Sequence, residues 1–169
     1  AELLEPLRTG ALPLDQASVL SQLKQAVSRY NAIPTRDRDY PRAGILGEIY
    51  VKFSPFANNR VAYWLMEQGI EVVLPQFLEF YLGWFVSTKA RVQENIQRRD
   101  GAWLLASLLD GKVQSVMEKA EKALQVFKYH HPGHSIHEIA RLAEKVVSLT
   151  HAYGEGWVIA GEIGALVGL

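Results

Sequence analysis

Three short stretches of the chain gather side chains that could do chemistry. In "GEIYVKFSPFANNR", Gly47 to Arg60, a carboxylate sits within an apolar run, and Ser54, Asn58 and Asn59 follow in a turn-forming segment. In open α/β sheets the carboxyl end of a parallel strand faces a crevice. The helix after it offers unpaired N–H groups and the positive end of its dipole to an anion or polar substrate. Glu48, Tyr50, Ser54, Asn58 and Asn59 are therefore candidates to line a crevice. A local account serves the same residues: Ser54 caps, Pro55 presets φ, and the Asn pair satisfies nearby backbone. No glycine-rich phosphate fingerprint accompanies them, because Gly44 and Gly47 fall inside the expected strand and not in its turn.

The second stretch, "HHPGHSIHE", holds four His and a Glu. Zinc would require three or four of these to converge on one point. Pro132-Gly133 instead makes His130, His131 and His134 a surface turn, and Glu138 belongs to a capping box opened by Ser135, so no metal site is expected. The third, "GEGWVIAGEIG", places Glu155 and Glu162 in a glycine-punctuated apolar segment around Trp157. Burying a carboxylate without partners is costly. Either the two Glu occupy a helix entry and an exposed face, or they approach a ligand or another domain. Paired carboxylates suit acid and base work, but the spacing does not fix their separation. No serine lies in a nucleophile elbow.

The elements that must position these residues follow from periodicity. Leu14 to Tyr30 reads as a helix capped by Asp15, with Val19, Leu20, Leu23, Ala26, Val27 and Tyr30 on its inner stripe. "NAIPTRDRDYPR", Asn31 to Arg42, reads as a connection into the main sheet. Ala43 to Val51 reads as a strand buried on both faces. Ser54-Pro55 is expected to open the next helix, with Val61 and Leu65, beside Ala57 and Trp64, facing inward and Gly69 as its left-handed cap. "IEVVLP" is a second strand, so the unit is a right-handed βαβ crossover. Beyond it the pattern is helical. Phe77 to Arg99 carries an aromatic face expected in the core. Trp103 to Phe127 is a helix with a break expected at Asp110 to Lys112. Ser135 to Tyr153 and Gly156 to Val167 complete the series.

Composition sets the outer limits. The chain has 169 residues, is 49% apolar and 21% charged, and balances 18 basic against 18 acidic residues. That fits one globular domain, with no electrostatic footprint for nucleic acid or an acidic membrane. The longest apolar run, Ala102 to Leu109, is interrupted by Ser107 and far shorter than the roughly 20 residues a spanning helix needs. A soluble, cytoplasmic chain is expected. There is no cysteine, which excludes disulfides, a thiolate nucleophile and a thiolate-held cluster made by this chain alone. The ends, Ala1-Glu2-Leu3-Leu4 and the apolar "EIGALVGL", read as cut from something longer.

Two of these passages, "RAGILGEIYVKFSPFANNRVAYWLMEQGIEVVLP" and "GEGWVIAGEI", resemble the 2-hydroxyacyl-CoA dehydratase-related region of the large CoA-substrate-specific enzyme activases. The match runs through Gly47-Glu48-Ile49-Tyr50-Val51, Pro55-Phe56-Ala57-Asn58-Asn59, Gly69, Pro75, Gly154-Glu155-Gly156-Trp157, Gly161 and Glu162. The resemblance implies an α/β fold: a small parallel sheet with a Rossmann-like βαβ core, flanked by many helices, in one domain over residues 1–169. It also implies anaerobic metabolism, an acyl-CoA-related substrate, and a 4Fe-4S cluster and ATP in the longer parent, with neither cofactor held by this chain. In relatives a Pro-Phe-Gly-Cys segment follows shortly after the position of Leu169, so Leu169 is expected to be a boundary. The crevice, lined by Glu48, Tyr50, Ser54, Asn58, Asn59, Glu155, Trp157 and Glu162, would then be completed by other domains of the parent. The other reading is a non-catalytic scaffold or docking module. An uncovered sheet edge would favour a homodimer.

Overall fold

In the computed structural model, residues 5, 9–10, 15–35 and 39–168 are described. The expected helix start at Leu14 and the boundary at Leu169 lie outside them. The chain divides into two compact units. One comprises the described residues of Ala1–Asp37 with Gly111–Pro132, the other those of Arg38–Asp110 with Gly133–Leu169.

The first unit is built on α1, Gln16–Asn31. Asp15 has extended backbone and its Oδ1 accepts from the N–H groups of Ala17 and Ser18, both at 3.0 Å. Those two donors have no intrahelical partner, so the cap fixes where the helix starts. Leu20, Leu23, Ala26 and Val27 are turned inward, whereas Val19 and Tyr30 are exposed. The amide of Asn31 donates to Val126 O at 2.7 Å and accepts from Lys128 N at 3.0 Å. This side chain thus ties the end of α1 to Val126 and Lys128.

The second unit holds a parallel pair of strands. β1, Arg42–Gly44, and β2, Glu71–Val73, run in register Arg42 with Glu71, Ala43 with Val72 and Gly44 with Val73. Around them lie α2 (Ile49–Phe53), α3 (Val61–Glu67), α4 (Glu79–Gln93), the start of α5 (Gly101–Leu124), α6 (Ile136–Ala143) and α7 (Gly156–Val167). The described chain is thus helix-rich with a small two-stranded parallel sheet. None of its helices is long and apolar enough to cross a membrane.

Several expectations are corrected. The strand expected over Ala43 to Val51 stops at Gly44. Gly47 takes φ +140, a conformation open in practice only to glycine, and residues from Ile49 form a turn and a half of helix. A strand would place Glu48, Tyr50 and Lys52 on one face. The helix instead buries Lys52 while leaving Tyr50 exposed. Ser54-Pro55 does not open α3. Asn59 and Arg60 are left-handed, at φ 51 and 56, so residues 54–60 are turns and α3 begins at Val61. Its inward face is Val61 and Leu65, with Ala57 and Trp64 exposed. Gly69, at φ +74, follows the helix as expected.

Most of the large aromatics expected in the core from α4 are not there. Leu82, Gly83, Val86, Ser87, Thr88 and Ala90 are buried and Phe85 and Val92 half-buried, while Phe80, Tyr81 and Trp84, with Phe77 just before the helix, are exposed. The reason is one competing ring. Trp157 of α7 is only 1% exposed, its Nε1 donates to Ser87 Oγ at 2.8 Å, and its ring passes 3.5 Å from where a Gly83 Cβ would stand. Small residues on α4 make room for it. α5 runs unbroken through Asp110 to Lys112. The capping box at Ser135 and Glu138 forms, but α6 ends at Ala143 and turns follow as far as α7. α6 and α7 pack closely at Gly161, where a Cβ would lie 2.3 Å from Ile139 O.

Candidate functional site

Within the second unit, α2, α4 and α7 each contribute an ionisable side chain to one buried cluster. Lys52 lies on the inward side of α2, and its Nζ is 2.7 Å from Glu162 Oε1 and 3.1 Å from Glu155 Oε1. Glu162 comes from the middle of α7 and Glu155 from the residue that precedes it. Glu79, in the first turn of α4, completes the group. All four side chains are almost wholly excluded from solvent. Burying one ammonium with three carboxylates leaves a surplus of negative charge, which a low-dielectric interior does not tolerate.

The titration behaviour follows from that surplus. Burial pushes the Glu79 carboxyl up, and the adjacent Glu162 adds to it through a hydrogen bond and its charge, so Glu79 rises to about 8. The Gln76 backbone and Lys52 pull the other way. Glu162 is also raised by burial, against the opposing pull of Lys52 and Glu79. Burial alone would lower the Lys52 ammonium, but its bonds to Glu162 and Glu155 outweigh that and hold it above its ordinary value. Lys52 is therefore a fixed charge and hydrogen-bond donor at neutral pH, not a nucleophilic amine. Glu79 keeps its proton and shares it with Glu162. With every carboxylate ionised, one oxygen each on Glu79, Glu155 and Glu162 has no partner.

The sequence candidates divide between this cluster and its rim. Glu155 and Glu162 are in it, and Trp157 packs beside it. Glu48 is exposed at the edge, where its Oε1 accepts from Glu155 N at 3.4 Å and its carboxylate lies against Gly154. Asn58 faces the backbone, donating to Val51 O at 2.9 Å and Lys52 O at 3.2 Å, and so braces the end of α2. Ser54 Oγ accepts from Ala57 N at 3.3 Å, a turn cap. Tyr50 is 67% exposed and is not one of the four buried groups. Asn59 lines an open cleft of about 610 Å³ with Pro55, Arg60, Tyr63, Trp64 and Glu67. Lys52 and Glu79 were missed. The signal was present: a lone Lys in "EIYVKF" and a lone Glu in "LEFYLGWF" have the charge and apolar setting that a buried Glu155 and Glu162 require.

The histidines lie elsewhere. His130 Nε2 is 2.6 Å from Glu121 Oε1, and His131 and His134 are exposed. His137 Nε2 is 3.1 Å from Asp110 Oδ1, and Asp110 also pairs with Lys89. Burial pushes Asp110 up, but Lys89 and His137 outweigh it and hold the carboxyl below its usual range. Among the described residues no three His, Asp or Glu side chains are grouped to hold a metal. With no cysteine in the chain, this donor set does not fit an iron–sulfur cluster.

Compared with family models, curated proteins and solved structures, the chain matches none.

Proposed function

We propose that the chain is the dehydratase-like region of a CoA-substrate-specific enzyme activase, contributing a crevice to a longer protein and no cluster or ATP site of its own. One observation supports this reading above the others. The two sequence passages that carry the resemblance meet in space: Lys52 of the first is held by Glu155 and Glu162 of the second, and Glu48 accepts from the Glu155 backbone. The parallel β1–β2 pair is, on this reading, the nucleus of a Rossmann-like sheet. Asn59, Arg60 and the 610 Å³ cleft beside them are where an acyl-CoA-related substrate would rest. The setting is cytoplasmic and anaerobic, with the parent's other domains as partners.

Glu48→Gln separates this from the other class of function. A crevice role gives a variant with unchanged urea unfolding but lower activity in the longer protein. Equal loss of stability and activity would make Glu48 a structural residue. The docking-module reading draws support from Phe56, 91% exposed at the tip of the same loop. It predicts no thioester binding, and instead that Phe56→Ala frees a partner domain.

A further inference from the structure

A second cleft, of about 440 Å³, opens between α4 and the start of α7 and meets the charged cluster at Glu155. Its walls include Phe80, Tyr81 and Trp84, with Tyr81 55% and Trp84 44% exposed. Glu155 lines it too. That side chain is almost completely buried, one oxygen is committed to Lys52, and the other has no hydrogen-bond partner. Glu155 belongs to the cluster in which Lys52, Glu79, Glu155 and Glu162 set one positive charge against three acids. Even with one proton retained, the cluster is a full charge short of neutrality. Glu48 at the α2 edge makes the deficit larger. Arg91, which also lines the cleft, lies eight residues beyond Gly83, roughly 12 Å further along α4, so it offsets the deficit only in part.

A buried carboxylate oxygen without a partner, under exposed aromatic faces and a negative cluster, is complementary to a cation. We propose that this cleft binds a ligand bearing a protonated primary amine, whose ammonium donates to the free Glu155 oxygen against the Tyr81 and Trp84 rings. The incoming charge displaces to solvent the proton shared by Glu79 and Glu162. One N–H···O bond forms, one proton leaves, and no covalent bond changes. Arg91 disfavours a second positive charge at the far end, so the ligand class is a monoamine with an apolar or anionic tail, not a polyamine. Glu155 is shared with the crevice reading, but the two clefts are lined by different residues and are probed with different ligands, so the two readings fail separately.

Phenethylamine titrated calorimetrically into the 169-residue chain at neutral pH, in two buffers of different ionisation heat, tests the proposal. Binding should release up to one proton, and phenethyl alcohol should bind roughly tenfold more weakly, because it lacks the charge-assisted bond. Glu79→Gln should bind the amine without releasing a proton, and Glu155→Gln should not bind it. Arg91→Gln, at the half-exposed end of the cleft, should bind more tightly, which keeps the test open if Glu155→Gln does not fold. Absence of amine binding, equal affinity for the alcohol, or unchanged affinity in Arg91→Gln would each overturn it.

Discussion

Glu79→Gln is the sharpest probe of the buried cluster, because a glutamine has the shape of a protonated glutamic acid and can donate to Glu162 as the acid does. Glu79 rises from an ordinary 4.5 to about 8 on folding. Between those values the folded chain holds a proton that the unfolded chain has released, so wild-type stability must fall as pH rises across that window. At about 1.4 kcal/mol per unit, the drop is on the order of a few kcal/mol. It is complete near pH 8, and Glu162, also raised, adds to it in the same direction. Urea unfolding followed by tryptophan fluorescence at intervals from pH 5 to 9 measures it. Wild type and Glu79→Gln should be similarly stable at pH 5. The variant should become the more stable of the two by pH 8, with a flatter profile between. Parallel profiles, or a variant weaker at every pH, would refute the assignment of the proton to Glu79.

Removing the other side of the cluster should act oppositely: Lys52→Met leaves Glu155 and Glu162 buried without their cation and should cost about 3–5 kcal/mol in urea unfolding. Gly161→Ala drives a methyl into Ile139 O, and the forced separation of α6 and α7 should cost about 1–3 kcal/mol, read from the same unfolding curves. Ser135→Ala removes a cap from α6 and should cost about 1 kcal/mol. Sedimentation over a range of concentrations should show a dimer if the edges of the β1–β2 pair are free to pair with a second copy; a monomer throughout would remove that expectation.

What the sequence made legible was whatever local chemistry decides. Asp15, Gly69 and the Ser135–Glu138 box mark their helix ends because the groups they satisfy lie within a turn of them. The parallel pairing of the two short strands was also readable, from the helix-length connection between them. Partners distant in sequence were not. The segment from Ile49 to Phe53 has the composition of a strand and becomes helix because Lys52 finds its two carboxylates more than a hundred residues away. The face of α4 was misassigned for a similar reason: its large aromatics are excluded by the single ring of Trp157, and periodicity cannot say which of several faces a neighbour will choose. Glu155 and Glu162 stood out as costly to bury, and their partner, the lone Lys52, was hidden by reading its segment as a strand.

The composition of the cluster bears on what it is for. A buried ion pair replaced by well-packed apolar side chains is often no less stable, and an apolar quartet at 52, 79, 155 and 162 would join α2, α4 and α7 without any dependence on pH. The observed residues do the same joining at a cost that grows through the neutral range, since Glu79 must stay protonated where an ordinary carboxyl would ionise. Packing alone therefore does not account for three acids around one lysine. A site that gains a positive charge from outside does, because a bound ammonium would relieve the surplus and let Glu79 ionise. On that account the ligand should raise the unfolding midpoint more at pH 8 than at pH 5, where the proton already does its work. A ligand-induced shift of equal size at both values would return the cluster to a purely structural role.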